Sequence, residues 1–429
     1  MCCCRVVLLN FAAVDRCDLQ LEDGVCAFCG GYAVTQCNPG RAQQFRRAEL
    51  CSRTGVSSGA RGRGGAQQKR GCAYSCGVES MRALTVAPGI ADSAGVDDVP
   101  EPPESDGAVL VRTLALGVCG TDREIVAGLY GWAPPGRNRL IIGHESLGTV
   151  EHAPANSEFK PGDLVVGIVR RPDPVPCPCC AAGEWDMCRN GRYTERGIKE
   201  RDGYGSEFFR VEPEFLVKLD PSLGLNGVLV EPTSIVAKAW DHTERIGRRS
   251  RVWAPKTLLV TGAGPIGLLA AMIGVLRGLD VHLLDHNDRG PKREIVHGLG
   301  ATFHVGELTD LSILKPDILM ECTGVPSVVR DALGRTAAAG IVCLLGVSAP
   351  GHDLDLDIGG VNRTMVLDND AVFGAVNANR QHYEDAVIAL KRADQRWLDS
   401  LITRRVPVEQ WTQSLVQQRG DIKVVVDFS

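Results

Sequence analysis

Lys256–Asp288 reads KTLLVTGAGPIGLLAAMIGVLRGLDVHLLDHND. KTLLVTGAG reads as a strand running into a glycine turn, PIGLLAAMIGVLRGL as a helix and DVHLLD as a second strand. Strand, helix, strand in this order is a βαβ unit of a parallel sheet. Gly262, Gly264 and Gly267 stand in the G-x-G-x-x-G spacing at the strand–helix junction. A glycine string alone says little, but after a strand and opening a helix it marks a dinucleotide site. Gly262 permits the tight turn, Gly264 lets the backbone approach a pyrophosphate, and Gly267 allows close helix–strand packing. The helix N-terminus, with Pro265 and Ile266, supplies amide donors and a partial positive charge. Asp285, 18 residues beyond Gly267, is placed to hydrogen-bond the adenosine ribose hydroxyls. His286 and Asn287 follow it, with no arginine immediately after, so the expected cofactor is NAD in preference to NADP.

The same texture continues downstream. REIVHGLGA reads as a helix, DILMECTG as a strand, VPSVVRDALGRTA as a helix and GIVCLLG as a strand. Thr323 and Gly324, closing DILMECTG, join the cofactor-binding candidates. From Met81 to about Val230 the signals are instead short strands separated by Gly and Pro turns, as in GAVLVRTLALGVCG, GTVEHA and GDLVVGIV. EPTSIVAKAWDHTERI, from Glu231, has helical spacing, and the chain ends in a strand, KVVVDF.

Composition excludes several classes. Of 429 residues, 44% are hydrophobic and 23% charged, ordinary for a globular protein, and the net charge is −5. Neither a nucleic acid nor an anionic membrane is an expected partner. The longest apolar runs fall short of a membrane span, and MCCCRVVLLNFAAVDRC has too short an apolar region for a secretory signal. The expected location is cytoplasmic. A seam lies at Met81: the net charge is +4 before it and −9 from it onward, and 10 of 17 cysteines precede it. Residues 1–80 contain the Gly/Arg-rich SSGARGRGGAQQKRG and show no core-forming periodicity. They read as a disordered extension or as sequence upstream of the true start. CAFC, Cys26–Cys29, has metal-ligand spacing but no second matched pair.

IIGHESLGTV, Ile141–Val150, reads as a buried strand that carries His144 and Glu145 at its centre. Polar groups in such a run need partners. Cys119 lies about 25 residues upstream in GVCGTDREI, and VEPTSI places Glu231 at the junction between the two textures. Thiolate, imidazole and carboxylate suit Zn²⁺, and a catalytic zinc keeps one position open.

In their order, GVCGTD, GHESLGTV, GDLVVGIV and GAGPIG resemble the zinc-dependent medium-chain alcohol dehydrogenases. More narrowly, VVGIVRRPDP, DMCRNGRYTERGI, DGYGSEFF, VEPTSIVAKA and VFGAVNANRQHYEDAV resemble their glucose 1-dehydrogenase branch. The resemblance runs from Met81 to the C-terminus. It implies an α/β fold: a GroES-like β-rich catalytic domain, 81–233 and 377–429, plus a Rossmann doubly wound parallel-sheet nucleotide-binding domain, 234–376. It implies Cys119 and His144 as catalytic zinc ligands, joined by Glu145 and Glu231. Thr121 becomes a catalytic hydroxyl near the substrate, and Glu195, Glu231 and Asn377 become sugar-binding residues. The implied reaction is oxidation of an aldose, foremost D-glucose, at C1 to the lactone, in a homodimer or homotetramer. A polyol, threonine or other sugar dehydrogenase of the same superfamily is the alternative. A nucleotide-binding protein without catalysis is disfavoured, since Cys119 and His144 are both present. The family's structural zinc loop has four cysteines spaced C-x2-C-x2-C-x7-C. Here Cys177, Cys180 and Cys188 fill the last three positions and Pro174 the first, with Asp173 or Cys179 as the candidate fourth ligand.

Overall fold

The computed structural model describes residues 80–349, 351 and 354–429. The extension 1–80, with Cys26–Cys29, lies outside the described residues apart from Ser80.

A six-stranded sheet runs Thr302–Val305, Asp280–Asp285, Thr257–Thr261, Ile318–Glu321, Ile341–Leu344, Ala371–Gly374, which is 3-2-1-4-5-6 in chain order, and every pair is parallel. Leu258 and Val260 bury one face of the first strand in the main core. Leu259 buries the other, packed with Leu284, Leu319 and Val342. Burial on both faces is why these strands read as unbroken apolar runs. The two outermost strands, Thr302–Val305 and Ala371–Gly374, carry no such run because they are only partly buried, and sequence reading passed over both. Strand order reverses between Thr257–Thr261 and Ile318–Glu321. Doubly wound sheets take ligands in the crevice at such a reversal, and the loops after these two strands carry Gly262–Gly267 and Thr323–Gly324.

The β-rich part is built on a seven-stranded sheet centred on Val109–Val118. Glu145–His152 pairs with it antiparallel on one side and the C-terminal strand Lys423–Asp427 on the other. The chain end thus returns to the first part of the fold. Helix Val230–Gly247 leads from this part into the parallel sheet.

One expectation is corrected. Ile141–Val150 is not a continuous strand. Leu140–Ile141 pairs with Thr85–Val86 in a separate sheet, and Glu145–His152 begins the next strand. Between them Gly143 takes φ +95°, and a Cβ there would stand 2.4 Å from the Leu116 side chain. The glycine makes the turn, and His144 follows it just before the strand Glu145–His152 begins rather than lying mid-strand.

Candidate active site

Strand register assembles the first cluster. Val109–Val118 ends one residue before Cys119, which caps the short helix Gly120–Val126. Gly117 pairs with Glu145, and Val118 pairs with Val424, next to Lys423. Three adjacent strands therefore bring Cys119, Glu145 and Lys423 to one place. Cys119 Sγ lies 3.0 Å from His144 Nε2 and accepts the Thr121 amide at 3.2 Å. Ligand atoms of His144, Glu145 and Glu231 all lie within 4.8 Å of one another, as do those of Cys119, Asp122 and His144.

Asp122 and Lys423 were not foreseen. Asp122 Oδ2 accepts the Cys119 amide at 2.9 Å, and its Oδ1 faces His144 Nδ1 at 3.4 Å. Its place three residues after the cap was the available signal. A carboxylate behind the distal ring nitrogen is how metal-ligating histidines are oriented. Lys423 donates to both Glu145 oxygens, at 2.6 and 2.7 Å, with both residues buried.

The electrostatics fit a cation. Burial opposes a charged imidazole, but Cys119 and Asp122 outweigh it and hold His144 well above the ordinary histidine range. Burial, with the Glu145 charge added, pushes Glu231 up to about 7. Among the described residues the Glu231 carboxylate has no hydrogen-bond or ion-pair partner, although it is 7% exposed. Carboxylates converging with a thiol and an imidazole are the donor set of a zinc site.

A second polar cluster contains Glu195 and Asn377, two of the residues expected to bind sugar. Asn377 Nδ2 donates to Glu195 Oε1 at 2.6 Å, though they lie 182 positions apart. Arg170 adds donors to the same oxygen at 3.0 and 2.9 Å and stacks on Tyr193 at 3.7 Å. Asn377 takes φ +62°, which asparagine tolerates better than most residues.

In the parallel sheet, Gly262 takes φ +93°. A Cβ on Gly267 would strike the Gly262 carbonyl at 1.8 Å, whereas one on Gly264 would meet nothing within 4 Å. The turn, the tight packing and the open approach thus fall on the three glycines as their spacing implies. The helix Pro265–Leu276 has no side-chain cap, which leaves its first amides for a ligand. Glu321, fully buried, accepts the Thr323 and Gly324 amides at 2.7 and 3.1 Å and shapes that loop. Asp285 accepts the Ala263 amide at 2.8 Å and the Asn287 amide at 3.1 Å. It also pairs with Lys292 at 2.8 Å and lies 3.2 Å from Nδ1 of the exposed His286.

In the cysteine lobe, ligand atoms of Cys177, Cys180 and Cys188 lie within 4.8 Å of one another. Cys177 Sγ accepts the Arg189 and Cys180 amides at 3.4 and 3.5 Å, and these donors lower its thiol to about 6. Burial pushes Cys180 up to about 11. Neither proposed fourth ligand joins the three. The Asp173 carboxylate is held by the Val175 amide and Asn190, both at 2.8 Å, and Cys179 lies outside the group. All described cysteines are free thiols.

The alcohol dehydrogenase GroES-like domain family matches residues 105–221, and the glucose dehydrogenase C-terminus family matches residues 225–428. A β-rich domain of this kind beside a Rossmann sheet defines a medium-chain dehydrogenase of the zinc-dependent type, an NAD(P)-dependent oxidoreductase acting on CH–OH groups. The glucose 1-dehydrogenase of Methanocella arvoryzae is 40% identical over 358 residues, covering 81% of this chain and 99% of the relative. That of Haloferax mediterranei is 34% identical over 364 residues. The structure of the Haloferax mediterranei glucose dehydrogenase in complex with NADP, Zn and gluconolactone superposes with a TM-score of 0.75 at 33% identity, covering 81% of this chain and 99% of that one. Within its class, the chain belongs to the glucose 1-dehydrogenase family.

Proposed function

We propose that the chain oxidises an aldose, D-glucose foremost, at C1 to the aldonolactone, with hydride transfer to NAD in preference to NADP. The observation that carries this reading is the convergence of the Glu145 and Glu231 carboxylates on the Cys119–His144 pair. The names of the relatives, and the gluconolactone in the Haloferax complex, support the choice of sugar. Zinc held by Cys119, His144 and Glu231, with Glu145 as a further ligand, would act as a Lewis acid on the C1 hydroxyl. Asp122 holds the His144 ring in register, and Lys423 holds Glu145. The hydroxyl proton would leave through water, through the Thr121 hydroxyl as a relay to water, or to a nearby carboxylate. Glu195 and Asn377 present a paired acceptor and donor to sugar hydroxyls. The Gly262–Gly267 turn, with Pro265 and Ile266, seats the pyrophosphate, while Asp285, His286 and Asn287 meet the adenosine ribose. Thr323 and Gly324 complete the crevice.

The catalytic domain is taken as 81–233 with 377–429 and the cofactor domain as 234–376, with residues 1–80 dispensable. The reading includes a homo-oligomer. Helix Ile358–Asp368 has no buried residue, with Ile358, Val366 and Leu367 at 66%, 66% and 64% exposure, and Ala371–Gly374, which follows it, is the last strand of the parallel sheet among the described residues. Exposed apolar surface at a sheet edge favours self-association. A cytoplasmic setting would keep the thiols reduced. Among the described residues no helix is long and apolar enough to cross a membrane.

The test is a panel of aldoses and polyols followed by NADH absorbance, with Cys119→Ser and His144→Ala as controls. Glucose should lead the panel, and both variants should be inactive yet folded. A polyol leading the panel, or full turnover by a variant without zinc, rejects the reading.

A further inference from the structure

The sugar cluster and the cysteine lobe are joined through Asp186 by hydrogen bonds and one ion pair. This residue lies in the turn Trp185–Met187, immediately before Cys188. Its main-chain carbonyl accepts Arg170 Nη1 at 3.1 Å, and Arg170 grips Glu195. Its carboxylate faces the other way. Oδ2 pairs with Lys238 Nζ at 2.8 Å, and Oδ1 accepts Asn379 Nδ2 at 3.0 Å. Lys238 Nζ also donates to the Val376 carbonyl at 2.9 Å. Val376 and Asn379 bracket Asn377, the partner of Glu195. One aspartate therefore holds both halves of the Glu195–Asn377 pair, one from each side.

The arrangement is costly without a purpose. The side chains of Lys238 and Asp186 are 2% and 1% exposed, and a buried ion pair seldom stabilises a fold beyond an apolar pair of equal volume. What it supplies is direction. Asn377 sits at φ +62° on a short turn between the strand Ala371–Gly374 and the helix Arg380–Arg392. Ala375 and Ala378 anchor this turn in the core, while the half-buried Asn377 between them is aimed by its polar neighbours. Lys238, from a rigid helix, fixes the carbonyl before it, and Asn379 fixes the residue that opens the helix after it.

We propose that Asp186 and Lys238 are positioning residues for the sugar site, and that the cysteine lobe acts on substrate binding through them. The inference rests on the proposed role of Glu195 and Asn377 in holding sugar hydroxyls. It predicts a fault in sugar affinity rather than in cofactor binding, since neither residue touches the Gly262–Gly267 crevice.

The experiment uses the full chain carrying Asp186→Asn together with Lys238→Met. The double change removes both charges, so no lone buried ion is left to unfold the protein. The glucose KM should rise about tenfold, with kcat and the NAD KM within about twofold of wild type. Asn379→Ser, a milder change that keeps a helix cap but shortens the reach to Asp186, should raise the glucose KM about threefold. An unchanged glucose KM in both variants overturns the proposal. So does a crystal structure of the double variant with Asn377 Nδ2 still 2.6 Å from Glu195 Oε1. That readout needs no turnover. It separates failure of the positioning role from failure of the sugar reading, which would show as wild-type inactivity on every aldose.

Discussion

Lys423 Nζ donates to both carboxylate oxygens of Glu145, at 2.7 and 2.6 Å, across 278 positions of sequence. Each side chain is 2% exposed. Burial opposes the charged lysine, but Glu145 and Cys119 outweigh it and hold its ammonium above the ordinary range. The pair fixes where the Glu145 carboxylate points. Lys423→Met should strand that charge and lower stability by about 3–5 kcal/mol. Urea unfolding of the two proteins measures this, and a loss below about 1 kcal/mol would mean that water or a metal takes over the partner's role.

Gly117 stands opposite Glu145, and a Cβ on it would lie 2.0 Å from Glu145 Oε2. Gly117→Ala must therefore push the carboxylate out of line with Lys423 and Glu231. We expect kcat/KM to fall by more than about a hundredfold while the fold persists, because misplacement by an ångström is enough. Near-normal rates with bound zinc would show that the strand yields instead.

The three converging cysteines predict a second zinc. Elemental analysis of protein purified without chelator should give about two zinc ions per chain, with the fourth ligand supplied after a local shift or by water. Cys188→Ser should lose one of them and lower the melting temperature, since a closed site contributes to folding. One zinc in wild type, unchanged in the variant, would mean a lobe held by hydrogen bonds alone.

Cofactor choice depends on how much of the Asp285 charge Lys292 screens. Initial rates at saturating glucose should favour NAD over NADP by about tenfold, a like-charge contact being only partly offset. Lys292→Ala should widen that ratio by exposing the charge. Asp285→Gly with His286→Arg should narrow or reverse it. Equal efficiencies in the wild type would mean that the Asp285 carboxylate is spent entirely on Ala263, Asn287 and Lys292.

Asp421 supplies a pH dependence away from any metal ligand. Burial raises its pKa, but hydrogen bonds from Arg404 at 2.7 Å and from the Gln418 amide at 2.8 Å outweigh that and lower it. A carboxylate held low when folded stabilises above its unfolded pKa, and that stability is lost as pH falls through the folded pKa. Asp421→Asn should cost about 1 kcal/mol at pH 7, with the difference shrinking from about pH 4 downward. A gap that persists at pH 2–3 would show the loss to be one of packing.

The parallel sheet was legible from the amino-acid sequence because its causes are local. The Gly262–Gly267 spacing, the apolar strands and the helix between them act within a few residues of one another, and two-sided burial writes itself as unbroken apolar runs. The types of residue that suit a metal were legible too: Cys119, His144, Glu145 and Glu231 are chemically conspicuous in apolar surroundings. Tertiary structure alone decided their partners. Lys423 meets Glu145 only because the C-terminal strand pairs with Val109–Val118, and Asp186 reaches Lys238 only because the cysteine lobe folds onto the helix Val230–Gly247. It also placed His144 on a turn rather than in a strand, set Lys292 against Asp285, and left Asp173 and Cys179 outside the thiol group. Backbone propensity acts along the chain, whereas the compensation of buried charge acts across space. A one-dimensional pattern records the first, and only the packed fold discloses the second.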